Sequence, residues 1–371
     1  MMRNKAISVE PVMSTASYRY VCPFVKTGAA IFLILLLFLL SGCNDRDIQE
    51  VRDTDFALGT TCSVTLFGEK ERQYLKPALE VAMDVEEKMS VRLEDSEISH
   101  INARAGDGFA EVSDGTFALV RRAVDFAEMS NGVFDPTVGP LVALWDIGSG
   151  DERVPEDEAV DKALTLVDFR DVLFDEEEMR IGLKRPGMSL DLGAIAKGYA
   201  ADRMVEYLKG QGVPYGIINL GGNVFAFGKK YGDTAWRIGI QTPDKERGRY
   251  LGILEIQNSA VVTSGKYERY FISDGRRYHH ILDTESGYPV ENGLSSVSIV
   301  STDATAADAL STLVFGLGLE KGLRLCEELE YAEAIIVTEE NMVYTSSGLR
   351  DTFRLIDDRY TRAEPGHVLS E

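Results

Sequence analysis

From residue 216 to residue 300 the chain is a succession of short β-rich runs, at 216–220, 236–241, 251–256, 267–273, 277–282 and 297–300, with no helical periodicity between them. Before that stretch, apolar residues recur at helical spacing. Leu75, Leu79, Ala82, Val85 and Met89 define one amphipathic helix over 71–89, and Phe117, Val120, Val124 and Ala127 define another over 116–129, stopped by Asn131-Gly132. A short acidic helix is expected at 156–164, a hairpin at 172–183 and a longer helix at 195–208 ended by Gly210. After the β-rich stretch come helical patterns at 304–315 and 320–329, then strands at 334–338 and 342–345. One further strand is expected at 56–67, and Asp274-Gly275 marks a hairpin turn. Strands grouped with strands and helices with helices predict an α+β fold with mixed or antiparallel sheets, not a doubly wound parallel sheet. No Pro/Gly/Ser-rich linker interrupts 54–360, so one domain with two lobes is expected.

The first 43 residues stand apart. Arg3, Lys5, Arg19 and Lys26 give a positive front, and 29–40 is an unbroken apolar run, short for a permanent membrane span. It ends in Leu40-Ser41-Gly42-Cys43, which resembles the lipobox of bacterial lipoproteins. The expectation is an exported protein, lipidated on Cys43 and held on the periplasmic side of a membrane. An uncleaved signal anchor with an incidental cysteine is the alternative. Residues 44–53 are polar and read as a tether, and 361–371 as a tail.

Removing 1–43 takes away four basic residues and one acidic one, moving the net charge from −21 to −24. Such a surface repels phosphate backbones, which argues against nucleic acid as a partner. Any phosphate-bearing ligand then needs a local cation or a helix N-terminus. Of the cysteines outside the export segment, Cys62 and Cys326 lack metal-ligand spacing, and pairing and free thiols both stand open.

Four segments concentrate chemistry-bearing residues at element ends, and each has a bland reading beside the functional one. DLGAIAKGYAAD, from Asp191, brings glycine and Lys197 to a helix start, either a phosphate cradle or an ordinary capped turn. INLGGNVFAFG, from Ile218, places Gly221-Gly222 between apolar runs, allowing close ligand approach or simply a tight turn. RRYHHILDTESGYPV, from Arg276, places His279 and His280 in a strand-like run that ends at Asp283, where His280 suits an acid/base or phosphate-contacting group and either histidine equally suits a satisfied surface or core side chain. In TDATAADALSTLVFGLG, from Thr302, Asp308 and Thr312 are four apart and share a helix face. That pair offers the oxygen donors magnesium prefers, unless Thr312 bonds back to the helix.

Together with MSVRLEDSEISHIN from Met89, FDPTVGPLVALW from Phe134 and TSGKYERYF from Thr263, these segments resemble, in order, the ApbE-type FAD:protein FMN transferases over nearly all of 54–350. The resemblance implies an ApbE-like (T-fold-like) α+β unit with FAD between its lobes. It implies magnesium held by Asp308, Thr312 and the Ala194 carbonyl, with Lys197 and His280 near the phosphates as the catalytic pair. Glu97, Asp135, Gly221, Gly222 and Thr263 would line the flavin or adenosine pocket. The implied reaction moves FMN onto a Thr or Ser hydroxyl of an acceptor protein, in an Asp-Gly-containing motif of a membrane electron-transfer subunit, and releases AMP. Two positions depart from the family's usual pattern: Arg92 where a tyrosine is common, and Lys266 where an aspartate follows TSG. An FAD pyrophosphatase and a non-catalytic flavin-binding lipoprotein remain the competing functions.

Overall fold

The threonine- and valine-rich run at 56–67, expected as one strand, folds as the end of one strand, a two-residue turn and a second strand. In the computed structural model, which describes residues 49–230, 234–243 and 248–363, β1 (Glu50–Ala57) and β2 (Thr60–Phe67) pair antiparallel with Ala57 opposite Thr60. Leu58 and Gly59 turn between them at φ 55 and φ 66, the doubly left-handed geometry that two-residue hairpin loops favour. The tether assignment is corrected at one end, because residues 50–53 are paired strand, and so is the tail, since residues 361–362 also pair. The export segment and Cys43 lie outside the described residues. Those from Gln49 on form one compact unit.

After this hairpin come α1 (Leu75–Met89), α2 (Glu97–Ala103), β3 (Phe109–Glu111), α3 (Asp114–Met129), α4 (Gly139–Trp145), α5 (Asp157–Leu164), β4 (Val172–Asp175) and β5 (Arg180–Leu183). The middle of the chain forms α6 (Ala196–Gly210), β6 (Gly216–Leu220), β7 (Asn223–Phe227), β8 (Trp236–Gln241), β9 (Tyr250–Ile256), β10 (Ser259–Gly265), β11 (Tyr270–Ser273) and β12 (Arg276–His279). It closes with β13 (Leu294–Ser301), α7 (Ala304–Leu317), α8 (Leu319–Glu328), β14 (Ala332–Thr338), β15 (Met342–Thr345), β16 (Phe353–Leu355) and β17 (Thr361–Arg362). The main sheet runs β1-β2-β6-β7-β10-β13-β14-β15-β17 and is antiparallel except for the last pair. Three small sheets accompany it: β3-β5-β4, β16-β9-β8 and the hairpin β11-β12. The α+β expectation holds.

Period-two alternation sends neighbouring residues of the main sheet into different cores. Ala260, Val262, Val297, Ile299, Ala334 and Ile336 join the cluster under the helices. Val261, Val300, Ile335 and Val337 join the cluster under β8, β9 and β16, with Trp236 and Phe353. Both faces of the sheet are therefore covered, which is why every residue of β13 is buried. A bulge between Leu294 and Ser296 resets the phase, so that Leu294 lies with Val297 in the helical cluster.

On the helical side, α6 and α7 pack unusually close. A Cβ on Gly198 would overlap the Ala304 carbonyl and lie 2.8 Å from Asp308 Cβ. Helix α7 is buried almost all round, and its start is capped twice. Asp303 accepts from Ala306 N at 2.8 Å, while Asp202 of α6 accepts from Ala304 N and Thr305 N at 3.0 and 2.8 Å. Gly198→Ala should push the two helices apart and cost about 1–3 kcal/mol, as overpacked cores do. A lowered denaturant midpoint at unchanged slope is the expected result, and a wild-type midpoint would refute the close contact.

Candidate functional site

The close approach of α6 and α7 carries Asp308, from the second turn of α7, onto the first turn of α6. Asp308 is only 3% exposed. Its Oδ2 accepts from Gly198 N at 2.9 Å and its Oδ1 from Asn223 Nδ2 at 3.0 Å. Lys197 Nζ lies 3.3 Å from Oδ1 and 3.5 Å from Oδ2, and donates to the Gly193 carbonyl at 3.0 Å. A buried carboxylate thus neutralises a lysine and caps a helix belonging to another segment. Because Gly198 N–H is directed at Asp308, the donor that would close a helical turn onto Ala194 is engaged elsewhere. Ala194 itself precedes the helix, whose N-cap is Ile195.

One turn along α7, a chain of hydroxyls reaches β10. Ser264 Oγ is 2.7 Å from Ser311 Oγ and 3.2 Å from Thr312 Oγ1, and Ser311 Oγ donates to the Asp308 carbonyl at 2.8 Å. Among the described residues no group of three or more His, Cys, Asp or Glu side chains cages a metal. Magnesium needs no such cage, since it keeps waters and takes one or two carboxylates plus ligand phosphate. Asp308, the Thr312 hydroxyl and the Ala194 carbonyl are hard oxygen donors of that kind, and fit an ion whose coordination a nucleotide completes.

The flanking segments meet at the same helix start. Asp191 N donates to the Pro136 carbonyl at 2.8 Å, joining DLG to FDP, and Asp191 Oδ1 accepts from Gly193 N at 2.7 Å. Burial raises the Asp191 pKa, opposed by that N–H and by the charges of Lys197, Arg269 and Arg92. Three cations therefore converge on this corner of a strongly acidic protein. Arg92 supplies one of them. Lys266 adds nothing free, because it is ion-paired with Glu339.

The two adjacent histidines separate cleanly. His279 is buried, with Nε2 donating to the Val290 carbonyl at 3.0 Å and Nδ1 accepting from Ile281 N at 3.3 Å, which makes it a satisfied core side chain. His280 has Nδ1 3.2 Å from the Arg269 carbonyl, and only a protonated Nδ1 can bond a carbonyl. Nε2 is thereby the bare nitrogen. Burial and the Arg269 guanidinium push the His280 pKa down to about 3, with smaller help from His279 and Lys197 against the bond to Arg269. The hairpin β11-β12 supports this arrangement, resting Phe271 and Tyr278, stacked at 5.2 Å, on buried Trp145.

The other residues expected in the pocket are tied into the fold. Glu97 begins α2 and accepts from Ser113 N and Oγ at 3.1 and 2.9 Å, a tie between two segments of the helical lobe. Thr263 lies on the opposite face of β10 from Ser264 and bonds Ser298 at 2.8 Å, so Ser264 is the residue that faces α7. Asp135 accepts from Thr137 N and Oγ1 and from Phe169 N, at 2.7, 2.6 and 2.9 Å. Burial raises its pKa against those bonds, and it lines a cavity of about 190 Å³ with Gly132, Val167, Phe169, Thr284 and Glu285. Gly221 and Gly222 form the β6-β7 turn at φ 67 and φ 113, where a side chain on Gly221 would strike Thr60. That turn delivers Asn223 to Asp308. Asn223, Gly198, Ser264 and Arg269 carry no site signal in the sequence, because only contacts between separate segments single them out.

A family model described as "ApbE family" matches residues 58–336. The chain belongs to the ApbE family. It is 36% identical over 362 residues to an FAD:protein FMN transferase of Treponema pallidum, covering 91% of this chain and 98% of that protein. It is 42% identical over 275 residues to one from Klebsiella pneumoniae, covering 74% and 85%. Among solved structures, the ApbE protein of Thermotoga maritima superposes with a TM-score of 0.76 at 37% identity, covering 81% of this chain and 98% of that one. The flavin transferase ApbE of Vibrio cholerae superposes at 0.73 and 27% identity, covering 82% and 99%.

A neutral, half-buried His280 has a sign that can be tested. In an unfolded chain the imidazole titrates near ~6.5, so between there and about 3 the unfolded state holds the extra proton. Its contribution to stability is complete above the unfolded value and is lost as pH falls toward the folded one. Stability measured from about pH 7 to about pH 4.5 should therefore fall more steeply in the wild type than in His280→Gln. Parallel slopes would exclude a desolvated imidazole.

Proposed function

We propose that this ApbE-family enzyme transfers the FMN half of FAD to a Thr or Ser hydroxyl of an acceptor protein, releases AMP, and requires magnesium at Asp308 and Thr312. The activity itself is that of the FAD:protein FMN transferases to which the chain is similar over most of its length. The observation that carries the mechanistic reading is the meeting of the half-buried Lys197, Asp308 and the start of α6 at one point, the place in an acidic protein where a diphosphate is tolerated.

The step conserves atoms and charge. The acceptor oxygen bonds to the FMN-side phosphorus, the bond from that phosphorus to the bridging oxygen breaks, and the electron pair leaves with AMP. His280 Nε2, bare because Nδ1 is committed to Arg269, takes the hydroxyl proton. Lys197 and Arg269 stand by to balance charge on the phosphates. A bound magnesium ion would supply further neutralisation of the leaving phosphate. Asp135, held by three donors, keeps the Phe169 segment against the cavity that both residues line.

The enzyme is further proposed to work from a lipid anchor on Cys43, on the exported side of a membrane, where its acceptor is an Asp-Gly-containing segment of a membrane electron-transfer protein. Support comes from the Leu-Ser-Gly-Cys order at the end of the apolar run. No helix among the described residues is long and apolar enough to cross a membrane. Cys43→Ala should shift the protein from the membrane to the soluble fraction; retention in the membrane fraction would point to a signal anchor.

Supplied with FAD and magnesium, the enzyme should add the mass of FMN to a co-expressed acceptor. His280→Gln should lower that turnover about 10²- to 10⁴-fold, the usual weight of a general base, while FAD affinity changes little. Equal losses in turnover and affinity would make His280 a binding residue. Rapid AMP release without any acceptor would make the enzyme a pyrophosphatase.

A further inference from the structure

The donors around Asp308 are unequal. An ionised carboxylate offers about four lone-pair sites on its two oxygens. Gly198 N–H is fixed by the backbone of α6 and Asn223 is buried on β7, at 2.9 and 3.0 Å. Neither can leave without disturbing helix packing or the β6-β7 turn. Lys197 differs in every respect. Its side chain is 26% exposed, its contacts to the two oxygens are the longest at 3.3 and 3.5 Å, and its stem is flexible. Its shortest contact, at 3.0 Å, is to the Gly193 carbonyl beside the helix start.

We infer that Lys197 is an exchangeable counter-ion, occupying the face of Asp308 that a divalent cation needs and yielding it only when ligand phosphate takes up the ammonium. The inference rests on the magnesium reading given above. Two positive groups cannot share one buried carboxylate without strong repulsion, so cation binding to the nucleotide-free protein is opposed. Phosphate draws the lysine off and removes the opposition. By linkage, a nucleotide then strengthens cation binding by the same factor as the cation strengthens nucleotide binding. The protein stays electrically closed when empty, because Asp308 is never left buried and unpaired.

Asn223 is the positioning residue in this arrangement. It fixes the carboxylate plane together with Gly198, so that what changes is the identity of the cation and not the direction of the oxygens.

The test uses the full chain without nucleotide, titrated calorimetrically with MgCl₂ alone, alongside Lys197→Met, Lys197→Gln and Lys197→Arg. The two neutral variants should bind Mg²⁺ at least about tenfold tighter than the wild type, a difference of about 1.4 kcal/mol. The arginine variant, which keeps the charge, should not. Mg²⁺ should also raise the melting temperature of the neutral variants more than that of the wild type, which reports on folded protein directly. If all four proteins bind Mg²⁺ with equal affinity, or the neutral variants bind it more weakly, the exchange is refuted while the magnesium site stands. If none binds Mg²⁺ even with ADP present, the magnesium reading falls and the exchange with it.

Discussion

One buried carboxylate holds the site together. Asp308 is drawn from the second turn of α7 onto the first turn of α6 and is reached from a third direction by Asn223. A charge this deep is tolerated only with its donors in place, and removing one partner of such a pair typically costs about 3–5 kcal/mol. The contact joins segments near 197, 223 and 308, which the chain keeps far apart. Its geometry depends on the missing side chain at Gly198, which lets two helices approach within the reach of one aspartate.

The main sheet decides what else reaches that point. With helices on one face and a small sheet on the other, each strand residue is committed to a side by its parity. Ser264 joins the hydroxyl chain that leads to Thr312, while its neighbour Thr263 is turned toward Ser298. His279 and His280 divide in the same manner at the end of β12. One is spent on Val290 and packs edge-on against Phe315, and the other keeps a bare nitrogen because the Arg269 carbonyl holds its proton on the far side of the ring.

Much of this was legible in the residues. The helices at α1, α3, α6, α7 and α8 carry periodicity strong enough to read directly, and Asp274-Gly275 is the turn its composition announces, with φ 50 and 78. The hairpin at Leu58-Gly59 escaped notice because leucine is an uncommon residue at positive φ. Strands β7 and β10 escaped because both faces of the sheet are covered, so their runs do not alternate between apolar and polar. Glu97 and Asp135 stand in chemistry-bearing motifs, yet Glu97 Oε2 and both Asp135 oxygens accept from backbone N–H groups of the fold. A motif indicates that a residue is needed, not whether ligand or fold needs it.

What the amino-acid order determined alone was the inventory: an α+β chain, acidic beyond its first 43 residues, with a lysine beside a helix start and an aspartate and a threonine one turn apart on another helix. Those are local properties, set by side-chain period and by the charges a short segment carries. Which donors surround Asp308, which histidine keeps a free nitrogen and which strand hydroxyl faces the helix were decided only by packing. Each of those depends on distances between residues tens to more than a hundred positions apart, which close packing and sheet parity set and no local pattern encodes.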